Sequence, residues 1–427
     1  MRLSPEQERA CEAVLAGHNI FLTGSAGTGK SATLKYIITA LHAKYRNQPG
    51  AVAVVAPTAA AAIQVEGTTI HSWSGLSQVT RATAPTLSKW NRAAWQRAVV
   101  LVMDEVSMVS DWLLDLLNRM GQESRNCKNP FGGVQLVLCG DFLQLPPVEG
   151  GYCFQSAAWT SAIQHCYELH YAYRQGQDHE FATLLADVRI GRNTDEIRRS
   201  LLTGPFPSLS DIEPTRLYSK RAQVGAENTD RLQQLPGETI VHTAEDSGPE
   251  WALKKVSSWS NAVQRLELKV GAQVVLLKNL DIERGLVNGA LGLVVGFDTG
   301  NAPVVRFTCN LTRTMERAKW TLTVADRPNA EVATRWQYPL DLAWAITIHR
   351  SQGMSLDRVS TDLSECFAPG QAYVALSRCR TRQGLTVLGM SATSIKADPR
   401  AVAFHLSIAK EEEEETLAGP TKRHKGE

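Results

Sequence analysis

Gly24-Ser25-Ala26-Gly27-Thr28-Gly29-Lys30-Ser31 is the stretch whose reading decides the fold. The apolar run Ile20-Phe21-Leu22 precedes it and a helical pattern follows, giving the order strand, glycine loop, helix. That order is a cradle for a triphosphate. Its glycines let backbone N–H groups turn inward around a β-phosphate. The helix opening near Lys30 adds the positive end of its dipole, and the Lys30 ammonium reaches for a γ-phosphate. Ser31 is then placed to ligate Mg²⁺, so the residues from Gly24 to Ser31 are expected to bind ATP with Mg²⁺.

Outward from this loop, residues 20–22, 51–56, 99–103 and 134–139 read as buried strands separated by amphipathic segments. The pattern predicts a parallel, doubly wound α/β sheet. Residues 63–97, with Gly67, Gly75, Pro85, Trp73, Trp90 and Trp95, are too long for a simple crossover and are expected to form an insertion projecting from this first unit. The second half has strand-like runs at 216–219 and 239–244. A stretch rich in short β runs and glycine turns follows from about 266 to 338, expected as a small β-barrel. The α/β pattern returns at 343–348, so the barrel sits inside a second α/β unit. The acidic run at 411–415 and the basic run at 422–425 predict a solvated, disordered tail over 410–427. No internal repeat is present in the sequence.

With 427 residues, 43% hydrophobic and 21% charged, the chain has the composition of a globular protein with two to four compact units. A net charge of +2 carries no signal for nucleic acid, so that partner has to be argued from motifs. None of the eight cysteines forms a Cys-x-x-Cys pair, and they read as reduced thiols without zinc. Arg2, Glu6, Glu8, Arg9 and Glu12 make the start a polar helix rather than a secretory signal. No run of 18 apolar residues occurs, so no membrane contact is expected. An intracellular location follows: cytoplasmic and nucleoid-associated in a bacterium, nuclear or mitochondrial in a eukaryote.

The strand at 99–103 ends at Asp104-Glu105, the edge where ligands sit in this sheet class. Asp104 is expected to hold the Mg²⁺ shell and Glu105 to polarise an attacking water; an exposed turn or helix cap has the same local pattern. Gln144, in Gly140-Asp141-Phe142-Leu143-Gln144-Leu145-Pro146-Pro147, follows a third strand end, where an amide senses a γ-phosphate; a plain turn with a Pro-Pro stop fits as well. Thr58 after the strand at 51–56, His71-Ser72 and His349-Arg350-Ser351 supply donors for backbone phosphates, and Trp73 is a platform for a stacked base. The histidines also fit as structural residues, and the tryptophan as core.

Longer motifs carry a family resemblance. Leu101-Val102-Met103-Asp104-Glu105-Val106-Ser107-Met108, Pro130-Phe131-Gly132-Gly133 and Cys139-Gly140-Asp141-Phe142-Leu143-Gln144-Leu145-Pro146-Pro147 resemble the petite-integration-frequency (Pif-type) DNA helicases of superfamily 1B. So do Thr69-Ile70-His71-Ser72, Tyr173-Arg174-Gln175, Leu268-Lys269-Val270-Gly271, Ile348-His349-Arg350-Ser351-Gln352-Gly353-Met354-Ser355-Leu356-Asp357 and Tyr373-Val374-Ala375-Leu376-Ser377-Arg378. The resemblance spans nearly the whole chain in order.

It implies two RecA-like P-loop NTPase domains with ATP between them. Domain 1A covers 1–172 with a wedge insertion at about 63–97. Domain 2A covers 173–409 with a Src-homology-three-like β-barrel insertion at about 265–340. It also implies ATP-driven travel 5′ to 3′ on single-stranded DNA and unwinding of duplex or forked DNA, with G-quadruplexes and RNA–DNA hybrids as further substrates, in replication, repair, recombination or telomere maintenance. By position, Gln7 reads the adenine edge, Gly353 lies at the nucleotide, and Arg174 and Arg378 approach the γ-phosphate from the second domain. Against the family pattern, Trp73 replaces another aromatic, and the short N-terminus leaves no room for an extra regulatory domain. The resemblance names no protein partner.

Three rivals share parts of this pattern. A RecD-like or relaxase-type helicase would share the motifs but not the segment around Pro130–Gly133. A nucleotide switch would need a guanine-selecting Asn-Lys-x-Asp element, which the sequence lacks, and a small-molecule kinase would leave residues 174–380 without a purpose. A DNA-stimulated ATPase that remodels complexes without unwinding differs only by assay.

Overall fold

The computed structural model describes residues 3–76, 89–176, 178–202, 212–259, 262–281, 283–324 and 327–418. Six strands, β1 (Ile20–Gly24), β2 (Val52–Ala56), β3 (Thr68–Thr69), β4 (Val100–Met103), β5 (Gln135–Cys139) and β6 (His165–Leu169), form one sheet in the order β3-β2-β4-β5-β1-β6. All neighbours are parallel, as the α/β reading requires. A parallel sheet covered on both faces needs apolar strands, and every residue of β1 and β4 is buried. Because β4, β5 and β1 lie side by side and point the same way, the loops after them emerge together at one edge. Those loops carry Asp104-Glu105, Gln144 and the glycine loop.

A second parallel sheet comprises Ala345–Thr347, Thr215–Tyr218, Val359–Asp362 and Leu385–Gly389, in that order. Between Thr215–Tyr218 and Ala345–Thr347 the chain is mostly antiparallel. Thr312–Thr314, Pro303–Phe307, Leu291–Phe297, Gln273–Leu276 and Leu340–Leu342 form a five-stranded sheet around Val274, Leu276, Val294, Val305 and Phe307. Ala318–Val324, Arg327–Gln337 and Glu245–Ser247 form a three-stranded sheet, and Ile240–Thr243 pairs with Arg265–Leu268. Antiparallel structure therefore begins at Ile240, before the expected 265.

Two expectations change. The flanks of the 63–97 segment are built into the first unit rather than projecting. β3 extends the sheet, and Trp73 and Trp95 are buried with ring centroids 4.5 Å apart; residues 77–88 lie outside the described residues. The tail expected from 410 is helical to Ala418, continuing Pro399–Ala418, and 419–427 lie outside the described residues. Its spacing Ala401, Phe404, Ile408 is an apolar helical stripe that the following glutamates mask in the sequence. Phe404 stacks on Phe154 at 4.2 Å and meets Phe142 and Trp159, so the chain ends by returning to the first half.

No disulfide joins the cysteines. Among the described residues no helix is long and apolar enough to cross a membrane.

Candidate nucleotide site and nucleic-acid contacts

A cavity of about 950 Å³ opens at the shared carboxyl edge. Ala26, Gly27, Gly29, Lys30, Ser31, Glu105 and Gln144 line it from the first half, and Tyr173, Arg174, Gly353 and Arg378 from the second. The loop needs its glycines for two reasons. Gly27 and Gly29 have φ of 92° and 88°, and an added Cβ would meet Arg174 Cβ at 2.6 Å or Gln7 Nε2 at 2.8 Å. Lys30 opens the helix Lys30–Lys44, and its Nζ donates to the Gly24 and Ser25 carbonyls at 2.8 and 2.9 Å. Burial pulls its pKa down, opposed by the carboxylates of Asp141 and Glu105. Ser31 is exposed on the first turn of that helix. Thr28 Oγ1 ties the loop together by donating to the Ser25 carbonyl at 2.9 Å.

Asp104 directly follows β4, with its Oδ1 accepting from the Glu105 N–H at 2.9 Å. Glu105 has φ 50° and ψ 44°, a left-handed backbone that costs a non-glycine residue about 1 kcal/mol. Burial raises both carboxyls. Glu105 is pushed up to about 7, with Asp104 adding to the shift and Lys30, Arg378 and a hydrogen bond opposing it. That bond comes from Gln352 Nε2 in the second half, 3.0 Å from Glu105 Oε2. Gln144 donates from Nε2 to Asp141 Oδ2 at 3.3 Å. Asp141 is clamped by Arg189 through Nε and Nη2 at 3.1 and 2.9 Å. Burial opposes its ionisation, yet Arg189 and Lys30 hold it below the usual carboxylate range.

Two cations on the far wall, Arg174 and Arg378, hydrogen-bond to carbonyl and hydroxyl oxygens. Arg378, 2% exposed, donates to the Val374 carbonyl at 2.8 Å and to Ser377 Oγ at 2.8 Å, with longer contacts to the Ser351 and Met354 carbonyls. Arg174 donates to the Ser377 carbonyl at 3.0 Å. Among the described residues neither guanidinium forms an ion pair. Burial, with Arg378 nearby, pulls Arg174 down to about 9, and burial lowers Arg378 as well. A buried arginine, a half-buried arginine and a half-buried lysine, with no ion pair among the described residues, are a costly arrangement that a polyanion relieves.

Gln7 is 3% exposed and serves a capping box: Ser4 N–H donates to its Oε1 at 3.0 Å, which turns its Nε2 end toward Gly29. Gly353, at φ 78°, is hemmed in by Gln64, which a Cβ would meet at 2.4 Å.

Residues 2–199 match the model of the PIF1-like helicase family, and residues 255–297 match the 2B domain of DNA helicase Pif1. The ATP-dependent DNA helicase PIF1 of Homo sapiens is 41% identical over 420 residues, covering 95% of this chain and 64% of that protein. The crystal structure of the Pif1 helicase from Candida albicans is 36% identical with a TM-score of 0.77, covering 96% of this chain and all of that one. The chain belongs to the PIF1-like helicase family. Bacteroides Pif1 in complex with ADP-AlF4 is 30% identical with a TM-score of 0.82, and the same protein with ADP-AlF3 and ssDNA gives 0.65; each comparison covers 96% of this chain and 98% of that one. The chain spans less than two thirds of the length of the human PIF1 it matches.

In this Pif1-like chain the residues expected at DNA divide into two groups. His71 and His349 are exposed, and partial burial of each ring, with Arg221 beside His349, lowers both pKa values, so the imidazoles are neutral at pH 7. Thr58 is half-buried and its Oγ1 accepts from the Ala61 N–H at 3.2 Å, capping the helix Ala59–Gln64. Two expectations fail on burial. Trp73 is 7% exposed with Trp95 against its ring, so its face is not open to a base. Ser351 is fully buried and its hydroxyl donates to the Ile348 carbonyl at 2.8 Å, which makes it a turn residue.

Sequence reasoning missed Gln352, whose cross-cavity bond has no local signature, and Tyr173. The Tyr173 ring is 51% exposed at the cavity mouth, within 3.5 Å of a Cβ built on Gly29. Its signal was an aromatic directly before Arg174.

Proposed function

We propose that this chain is an ATP-dependent DNA helicase that moves 5′ to 3′ on single-stranded DNA and separates duplex or forked substrates. The observation carrying the reading is the gathering of Lys30, Arg174 and Arg378, from both halves, around one cavity, with no ion pair formed by any of the three among the described residues. Such a set suits a triphosphate shared between two bodies that close on it. The Bacteroides relative in complex with ADP-AlF3 and ssDNA holds both ligand classes, which supports the reading.

Each residue then has a task. Loop N–H groups from Gly24 to Ser31 and the Lys30 ammonium bind the β- and γ-phosphates. The Gln7 amide selects the adenine edge, and the exposed Tyr173 ring covers the base. Ser31 and Asp104 are hard oxygen donors beside the loop and fit Mg²⁺, which in such sites is also held by phosphates and waters. No group of three His, Cys, Asp or Glu side chains gathers as a metal cage among the described residues. Bound Mg²⁺ would offset charge on the β- and γ-phosphates. Glu105 takes the proton of the attacking water, held by Gln352. Gln144 orients toward the γ-phosphate from its anchor on Asp141. Arg174 and Arg378 stabilise charge as the bodies close, and Gly353 keeps the second-half wall close.

The layout proposed is two RecA-like domains, 1–172 and 173–409, with a wedge at about 63–97 and a Src-homology-three-like barrel within the antiparallel insertion at about 265–340. Thr58, His71 and His349 contact the strand through neutral donors, a sequence-independent grip. The test is ATPase rate with and without single-stranded oligonucleotide: at least tenfold stimulation is expected, and none would remove the DNA motor reading.

A further inference from the structure

The helix Gln371–Leu376 touches three separate parts of the cavity wall. At its N-terminus Gly370, with φ 73°, lies so close to the loop after β5 that a Cβ would meet the Gln144 carbonyl at 2.2 Å. At its C-terminus the Ser377 carbonyl holds Arg174 at 3.0 Å, and the Val374 carbonyl and Ser377 Oγ hold Arg378. Between these ends Tyr373, 2% exposed, reaches across to the glycine loop. Its hydroxyl accepts the Ala26 N–H at 2.7 Å, a bond between residues 347 positions apart.

We propose that Tyr373 is a positioning residue for phosphoryl transfer: its hydroxyl holds the Ala26 amide and thereby ties the shape of the glycine loop to the helix that carries the arginines. This rests on the ATPase reading above and adds a residue to it. A loop amide anchored to the second half cannot turn independently of that half. The placement of the neighbouring N–H groups around a phosphate therefore depends on where the Gln371–Leu376 helix stands. Burial pushes the phenol up to about 12, with Asp141 adding to the shift, so the group stays a neutral hydroxyl throughout the working pH range. Its ring packs in the second-half core, so the aromatic part explains burial and the hydroxyl explains the contact.

Tyr373→Phe keeps the ring and removes one oxygen. The expected result with wild-type protein as reference is a kcat for single-strand-stimulated ATP hydrolysis lowered about fivefold, the scale of one neutral hydrogen bond, with KM for ATP within about twofold. Amide hydrogen exchange of the peptide containing Ala26 should speed up at least fivefold in the same variant, without nucleotide. Unchanged kcat, or a loss confined to KM, would overturn the proposal, as would unaltered exchange at Ala26. Thermal melting, with assays run below both melting temperatures, separates a packing defect, which lowers stability without the kcat-specific loss. If wild type itself lacks ATPase, the functional reading fails, and the exchange measurement still decides whether the hydroxyl holds the loop.

Discussion

Gln352 Nε2 donates to Glu105 Oε2 at 3.0 Å, joining a residue of the second half to the acid expected to act as base in the first. The bond stabilises the carboxylate form of a group that burial drives the other way. It also gives the two halves a side-chain contact distinct from the arginines.

This half-buried pair makes a pH-dependent stability prediction. The Glu105 carboxyl is held at about 7, above the ordinary 4.5, so its stability contribution is intact at low pH and is lost as pH rises through about 7. Glu105→Gln, neutral at every pH, should melt several degrees above wild type at pH 8.5 and no higher at pH 5, in EDTA without nucleotide. Equal melting at both values would mean that the carboxyl ionises without penalty.

The same variant should lose catalysis. Glu105→Gln is expected to lower kcat by about 10² or more while nucleotide still binds, because the amide orients water without taking its proton. Nucleotide affinity by fluorescence titration, beside steady-state ATPase, tests this.

Lys30→Ala should abolish hydrolysis, with a loss on the order of 10² or more in rate, since a charge-assisted phosphate contact disappears. Among the described residues the Lys30 ammonium bonds two carbonyls of its own loop. Circular dichroism should stay native. A folded variant with normal turnover would contradict the loop assignment.

Arg174→Ala and Arg378→Ala should differ in side effects. Both should depress kcat more than nucleotide affinity. Arg378 also bonds two elements of its own core, so its removal should lower the melting temperature, whereas Arg174, whose side chain bonds the Ser377 carbonyl of the same half, should cost less. Differential scanning fluorimetry beside kinetics separates the two.

Trp73→Ala should act on folding rather than on DNA. Removing a buried aromatic packed on Trp95 costs about 3–5 kcal/mol, while single-strand affinity measured by anisotropy below the melting transition should stay near wild type. A large affinity loss in a stable variant would return the tryptophan to the DNA path.

Much of this was legible along the chain, and what was not has a physical reason. The strands at Ile20–Gly24, Val100–Met103 and Gln135–Cys139 announced themselves because a sheet covered on both faces needs unbroken apolar runs. Gln352–Glu105 and Tyr373–Ala26 were hidden because they join residues 247 and 347 positions apart. Exposure was the other gap. Trp73 and Ser351 have the chemistry of a DNA contact, and only packing reveals that both are turned inward. The helix Pro399–Ala418 escaped notice because its glutamates outweighed a stripe of three apolar residues.

Strand displacement from two matched duplexes, one with a 5′ and one with a 3′ single-stranded tail, tests the central claim most directly. With Mg²⁺ and ATP the 5′-tailed duplex should be unwound and the 3′-tailed one left intact, and Lys30→Ala should unwind neither. Displacement on the 3′ tail would contradict the proposed polarity, and DNA-stimulated ATPase with no displacement on either substrate would contradict the helicase itself.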